Sequence, residues 1–160
     1  MSKKHEVFGN TSKEEEQQLT REARLQYDQD KFQEAQGNWN SYTDAQKDFV
    51  KAEGNRIYQE LADALEAGKS VDDAEVQGLF AQWHEHLRYF YEPTLDLLAG
   101  LGQMYNSSPD FMANFQKLHP DLPAFLEAGI AHYVDDLETA ELERMLAEDD
   151  ADERTKRLSK

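Results

Sequence analysis

The sequence contains no cysteine, and only four prolines and eight glycines in 160 residues. Without cysteine the chain has no disulfides, thiolate metal sites or thiol nucleophiles, a composition that fits a reducing cytosol. No apolar run is long enough to span a bilayer, and residues 1–10 lack the apolar core of a signal peptide. We therefore predict a cytoplasmic protein that does not enter a membrane.

Basic residues are scarce as well, with 17 Lys and Arg against 33 Asp and Glu, which gives a formal net charge of -16. A field of this sign repels phosphate backbones and anionic lipid surfaces. We expect no direct nucleic-acid binding by this chain and no membrane partner. The same field favours ligands that carry a cationic group.

Between the few prolines and glycines the apolar residues recur at helical spacing, and no stretch alternates like a strand. The length suits one domain with its own core. We predict an all-α bundle of five to six helices. Helix starts are indicated at Thr43 with Gln46 (a capping box), at Ser70 with Asp73, after Pro93, at Ser108 with Pro109, and at Asp121. In the helix that begins at Thr43, Phe49 and Val50 are expected to face inward.

The two ends of the chain have weaker patterns. A first helix is expected after Thr11 or Ser12, with a thin apolar stripe, and a polar stretch follows at residues 28–41. We expect residues 1–42 to form a flexible segment. Residues 137–160 are mostly charged and are predicted to form a separate acidic helix, through Leu142, Met145 and Leu146, with a frayed tail.

The strongest helical stripe runs from Val76 to Tyr91 and is rich in aromatic residues. Its spacing is equally compatible with an ordinary core. Tyrosine and tryptophan side chains also carry polar tips that need partners when buried, and their crowding is typical of a ligand cleft between helices. The pattern alone leaves both interpretations open.

No catalytic, cofactor or metal site stands out, and we predict that the chain is not an enzyme and has no cofactor. His84 and His86 are two residues apart and point about 200° away from each other on a helix, so they cannot share a small cation. We expect one of them to border the core and the other to be solvated. His119 and His132, near helix ends, are expected to be structural, and nothing in the sequence selects either as a haem ligand.

Several short motifs appear in a familiar order. WHEHLRYFY at 83–91 leads into GLGQMY at 100–105, then SPDF at 108–111 and AFLEAGI at 124–130; residues 7–9, Trp39 and 41–43 agree more loosely. This series resembles the TipAS antibiotic-recognition domain, named after the thiostrepton-induced regulator, over residues 6–134. The motifs are short, but their order and spacing together are fairly specific.

The resemblance implies a globin-like helical fold over residues 1–136 that binds bulky, hydrophobic, often peptide-derived antibiotics in a cleft. It also implies that the N-terminal helices close over the ligand as a mobile lid. With the aromatic periodicity, it makes the following residues candidates for ligand binding: Trp39, Tyr42, Trp83, Leu87, Tyr91, Tyr105 and Phe111.

Some members of the family carry a cysteine near the place of Pro93 that traps dehydroamino acids, and this chain has none. Binding here is therefore expected to be non-covalent. In the family the domain follows a MerR-type DNA-binding domain or stands alone as a drug-sequestering form; Met1 and the acidic tail favour the standalone form. Our main hypothesis is antibiotic sequestration, and the alternatives are the effector domain of a transcriptional activator, a helical protein-interaction module and a globin-like haem sensor.

Overall fold

The structure is a computed structural model that describes residues 29–159. The helix expected after Thr11 or Ser12 lies outside these residues. The described part folds into six helices and contains no strand. In chain order they are α1 (Gln29–Ser41), α2 (Asp44–Glu66), α3 (Ala74–Leu87), α4 (Leu95–Tyr105), α5 (Pro109–Gln116) and α6 (Leu122–Leu158).

The helix starts predicted at Thr43, after Pro93, at Ser108 and at Asp121 are confirmed. The start predicted at Ser70 is displaced, because α3 begins at Ala74 with Asp73 as its N-cap. The Thr43 side chain accepts from the Gln46 backbone N–H while the Gln46 side chain accepts from the Thr43 backbone N–H, which forms the capping box of α2. Asp73 caps α3 through the backbone N–H of Glu75. Ser108 precedes Pro109 at the start of α5, where its side chain makes no capping bond.

The apolar core contains buried residues from every helix from α2 to α6. The C-terminal half of α2, most of α3 and the N-terminal part of α6 contribute the largest shares. The helices α3 and α4 pack on α6 at two glycines. A Cβ on Gly102 would lie 3.1 Å from the side chain of Ile130, and a Cβ on Gly129 would lie 2.5 Å from Cζ of Phe80. The absence of a Cβ at each glycine lets the side chain of the facing helix, Ile130 or Phe80, pack directly on the backbone.

Residues 29–41, described above only as a polar stretch without an assigned helix, form the helix α1. The apolar positions of α1 are few, and its C-terminal end packs on the segment after α3 through Asn38 and Trp39. Tertiary contact of this kind stabilises a helix that its own sequence supports only weakly.

The C-terminal region also differs from expectation. Instead of a separate acidic helix with a frayed tail, α6 continues unbroken to Leu158. Its buried residues end at Val134. Beyond that point it is supported by local ion pairs, such as those of Arg144 with Glu141 and Glu148.

Residues 29–159 contain no helix that is both long and apolar enough to cross a membrane.

Candidate functional site

Five aromatic side chains meet at one end of the molecule, where the turn between α1 and α2 packs on the segment that follows α3. We call this group the aromatic corner; it consists of Trp39, Tyr42, Phe49, Tyr89 and Phe90. The rings of Trp39 and Phe90 stack with centroids 5.6 Å apart, and Trp39 also meets Tyr42 edge to face at 6.3 Å. Phe49 and Tyr89 meet edge to face at 6.4 Å. These geometries are those that aromatic quadrupoles prefer.

Two long-range hydrogen bonds hold the corner together. The side-chain amide of Asn38 donates to the carbonyl oxygen of Phe90 at 2.7 Å, and the hydroxyl of Tyr42 donates to the carbonyl oxygen of Tyr89 at 2.5 Å. Both acceptors lie in the non-helical segment between α3 and α4, where carbonyl groups have no helical partner. The bonds therefore fix the end of α1 and the start of α2 on this segment.

A recess of about 280 Å³ opens at the corner. Its walls are mostly apolar and are formed by the first two turns of α2 together with Tyr89. It is lined by Tyr42, Ala45, Gln46, Phe49, Val50 and Tyr89. The capping box at Thr43 sets where α2 begins, and so it positions four of these lining side chains on α2. The volume is just below the range of sites that hold a whole drug-sized molecule, so the recess accommodates one bulky apolar group.

A buried histidine that is hydrogen-bonded to a partly exposed carboxylate lies beneath the corner. His86 is 1% exposed, and its Nδ1 lies 2.8 Å from Oε1 of Glu53. The ring of His86 also meets those of Tyr89 and Phe90 edge to face at 5.5 and 6.0 Å. Burial lowers the pKa of His86, and the hydrogen bond with Glu53 opposes this in part. The histidine is therefore neutral at pH 7 and acts as a polar support for the aromatic rings.

A second aromatic group lies in the interior, around Tyr58. Trp83 Nε1 donates to the hydroxyl of Tyr58 at 3.1 Å, and this hydroxyl in turn donates to that of Tyr105 at 3.2 Å. Burial holds the pKa of Tyr58 well above its usual value, so the phenol stays neutral. The three polar tips that need partners satisfy one another within the core.

The seven predicted ligand-binding residues lie in three different environments. Trp39 and Tyr42 belong to the aromatic corner. Trp83, Leu87 and Tyr105 are core residues, at most 3% exposed, and do not line the recess. Tyr91 and Phe111 are half-buried against the core. Contact between a ligand and the three core residues would require the core to open, and their role in binding stays a prediction.

Sequence reasoning missed or misplaced three residues of these groups. Phe49 was expected to face inward with Val50, but it is 58% exposed and lines the recess. Tyr58 was not singled out, although it lies three and four residues before the buried Leu61 and Ala62, on the same face of α2. Phe90, expected in the helical stripe of α3, lies beyond the end of that helix and stacks on Trp39.

The histidines of the WHEH motif have different environments. His86 borders the core, as predicted for one of the pair. His84 is only half-buried and its Nδ1 lies 2.8 Å from the hydroxyl of Tyr133, so it is not fully solvated as expected. Within residues 29–159, no three His, Asp or Glu side chains are arranged so that they could hold a metal ion.

The family model of the TipAS antibiotic-recognition domain matches residues 19–133. The chain belongs to this family. The match spans α1 to the end of the buried part of α6, and so it includes both the aromatic corner and the interior aromatic group. The family predicted from the sequence motifs is thus confirmed.

Curated relatives of this chain are transcription regulators. It is 29% identical over 137 residues to the HTH-type transcriptional activator mta of Bacillus subtilis, covering 82% of this chain and 52% of the relative. It is 34% identical over 80 residues to the HTH-type transcriptional regulator SkgA of Caulobacter vibrioides, covering 49% of this chain and 31% of the relative. The chain therefore spans about half or less of the length of these relatives.

A solved structure has the same fold. It is TipAS of Streptomyces lividans in complex with the thiopeptide nosiheptide, which matches with a TM-score of 0.68 and 20% identity. The match covers 81% of this chain and 90% of that chain. The predicted all-α, globin-like class is confirmed by this likeness and by the helices of residues 29–159.

Proposed function

We propose that this chain binds a bulky, largely apolar antibiotic reversibly, and that the aromatic corner holds one apolar group of that ligand. Membership of the TipAS antibiotic-recognition family carries the proposal. The recess supports it, because aromatic side chains in a concave apolar wall provide contact area at little entropic cost. Since the chain has no cysteine, binding involves no thiol adduct.

Ligands of the thiopeptide type are the first to test, because the solved TipAS structure from Streptomyces lividans is a complex with the thiopeptide nosiheptide. The recess holds only part of such a molecule. The remainder of the ligand would lie along the surface of α1 and α2, where residues 1–42 were expected to act as a lid. The N-terminal part of that segment lies outside the described residues.

Antibiotic binding by this chain would serve one of two biological roles. Sequestration of the drug, giving tolerance, needs this domain alone. An effector-binding role in a MerR-type transcriptional activator is favoured by the similarity to mta and SkgA, which are HTH-type regulators. Both outputs begin with the same binding step and need no catalytic residue or cofactor, so we propose a non-enzymatic role for the chain.

Tryptophan fluorescence distinguishes ligand binding at the aromatic corner from binding elsewhere, because the chain has only two tryptophans. Trp39 lies in the corner and Trp83 is 1% exposed in the core. Titration with nosiheptide, and with a panel of hydrophobic peptide antibiotics, should change the emission of the wild-type protein and raise its melting temperature by mass action. The Trp39→Phe variant, which keeps Trp83, should lose most of the emission change.

Phe49→Ala provides a second variant, since its exposed ring contributes to the recess and not to the core. We expect it to weaken binding by about tenfold while leaving the melting temperature without ligand nearly unchanged. If a broad panel at high excess moved neither emission nor melting temperature, the ligand-binding function would be abandoned for a protein-interaction module. If Phe49→Ala and Trp39→Phe both bound the ligand as tightly as the wild type does, the aromatic corner would not be the binding site.

A further inference from the structure

The C-terminal half of α6 exposes three large apolar side chains on one side of the helix. Leu142 is 58% exposed, Met145 50% and Leu146 56%. Their spacing of i, i+3 and i+4 places them next to one another on the helix surface. We call these three residues the distal stripe. They lie beyond Val134, the last buried residue of α6, so the core does not cover them.

The distal stripe is enclosed by carboxylates. Glu138 lies one turn before Leu142, and Asp149 and Asp150 lie one turn after Met145 and Leu146; all three acidic side chains are exposed. Residues 135–153 contain ten acidic residues and one basic residue. We call Glu138, Asp149 and Asp150 the acidic rim. Polar groups around apolar anchors are the usual arrangement of a binding surface.

The single basic residue of this region does not neutralise the rim. Arg144 pairs with Glu141 and Glu148. It is two positions from both Leu142 and Leu146, which places it about 160° away from each around the helix. Residues 135–153 therefore carry excess negative charge on the side of the stripe, and the next basic residue, Arg154, lies one turn beyond Asp150.

Charge decides among the possible occupants of this surface. A second copy of the chain would bring two acidic rims together, and an anionic lipid surface or a nucleic acid would be repelled. A cationic surface would be attracted. We propose that the distal stripe is the docking site for a basic amphipathic helix of a partner protein, which places apolar side chains on Leu142, Met145 and Leu146 and its Lys or Arg residues against the rim.

The mode of recognition follows from the shape of α6. An amphipathic helix lying beside it would pack apolar residues at i, i+3, i+4 and i+7 on the stripe. A helical segment without tertiary contacts is only marginally stable in water, so docking would also stabilise the distal part of α6. This surface is remote in sequence from the recess, and its occupation does not depend on the proposed antibiotic binding.

A designed peptide tests the proposal directly. The probe is a fluorescently labelled, helix-forming peptide of about 20 residues, or about 30 Å, with leucines at i, i+3, i+4 and i+7 and lysines on the rest of its surface. Its matched control carries glutamate at every lysine position. Anisotropy titrations of the full chain should show binding of the lysine peptide and none of the glutamate peptide, and added salt should weaken it.

The variant Leu142→Ala, Met145→Ala, Leu146→Ala should bind the lysine peptide at least about tenfold more weakly than the wild type does. Alanine is a strong helix former, so circular dichroism of this variant should show unchanged helix content. Leu158→Ala removes an exposed apolar side chain outside both the stripe and the recess, and should bind the peptide as the wild type does.

Two results would overturn the proposal. Equal binding of the lysine peptide by the triple variant and the wild type would show a purely electrostatic contact without the stripe. A wild-type dimer in sedimentation that becomes monomeric in the triple variant would show that a second copy covers this surface.

Discussion

At the scale of single residues, burial divides the aromatic side chains into two groups. Trp83, Tyr58 and Tyr105 form a hydrogen-bonded set in the interior, each at most 2% exposed. Trp39 and Phe49 lie at the surface, in the aromatic corner. The interior set stabilises the fold because its polar tips satisfy one another, and the surface set remains available to a ligand.

Gly129 should be intolerant of a side chain. A Cβ there would lie 2.5 Å from Cζ of Phe80, whose ring is fully buried and cannot move aside. We expect Gly129→Ala to lower the free energy of unfolding by about 1–3 kcal/mol, the usual cost of overpacking. Urea denaturation measures this.

Gly78→Ala is the matched control, since a Cβ at that helical position meets nothing within 4 Å. It should stabilise α3 slightly, because alanine is a better helix former than glycine. Equal stability of the two variants would contradict the close packing of α6 on α3.

His86 makes the free energy of unfolding decrease as the pH falls below its ordinary pKa. Its pKa is lowered in the folded state, chiefly by burial. The unfolded chain therefore binds more protons at mildly acidic pH, and the contribution of His86 to stability, present above about pH 6.5, is lost as pH falls toward the folded pKa.

An NMR titration of the histidine ring protons checks this directly. The resonance that disappears in His86→Gln should titrate below the ordinary histidine pKa. A midpoint at or above that value would show that the ion pair with Glu53 outweighs burial.

At the scale of helices, the start of α2 links the fold to the recess. The capping box of Thr43 and Gln46 satisfies backbone N–H groups that would otherwise lack partners. Tyr42 directly precedes this cap, and Phe49 lies about two turns after it. Loss of the cap would therefore lower the stability of α2 and displace side chains that line the recess.

We expect Thr43→Ala to cost about 1 kcal/mol of stability, because it removes the cap of α2. Ser108→Ala is the matched control: Ser108 also stands at a helix N-cap, but its side chain makes no capping bond. Its cost should be clearly smaller in the same urea experiment. Equal costs would mean that the hydroxyl bond at Thr43 contributes nothing.

Helix starts were predictable from the sequence because capping is local. Thr43 with Gln46, Ser108 with Pro109, and Asp121 mark the starts of α2, α5 and α6, as expected. The lengths of α1 and α6 were not predictable in this way. Packing of Trp39 and Asn38 on the segment after α3 is a long-range contact that the local pattern at residues 29–41 does not reveal.

At the scale of the whole molecule, the net charge of -16 is the dominant feature. Like charges on a compact surface repel one another, and unfolding relieves part of that repulsion. Much of the acidic excess lies on the exposed part of α6, where residues 135–153 carry ten carboxylates.

We expect the melting temperature to rise when NaCl is increased from about 0.02 to 0.3 M, because the Debye length falls below about 10 Å in that range and screens the repulsion. The rise should then level off. Potassium chloride should act like sodium chloride, since screening depends on ionic strength. A linear rise that continued to higher salt would indicate exclusion of the salt from the protein surface instead.

The helical class, most helix starts, the family and the lack of thiols could be read from the sequence, because they depend on composition, local capping and motif order. Tertiary packing determines which aromatic residues lie at the recess. Periodicity defines the face of a helix on which a side chain lies, but not which neighbouring element covers that face. Phe49 is therefore exposed at the recess, whereas Tyr58 and Trp83, on covered faces, are core residues.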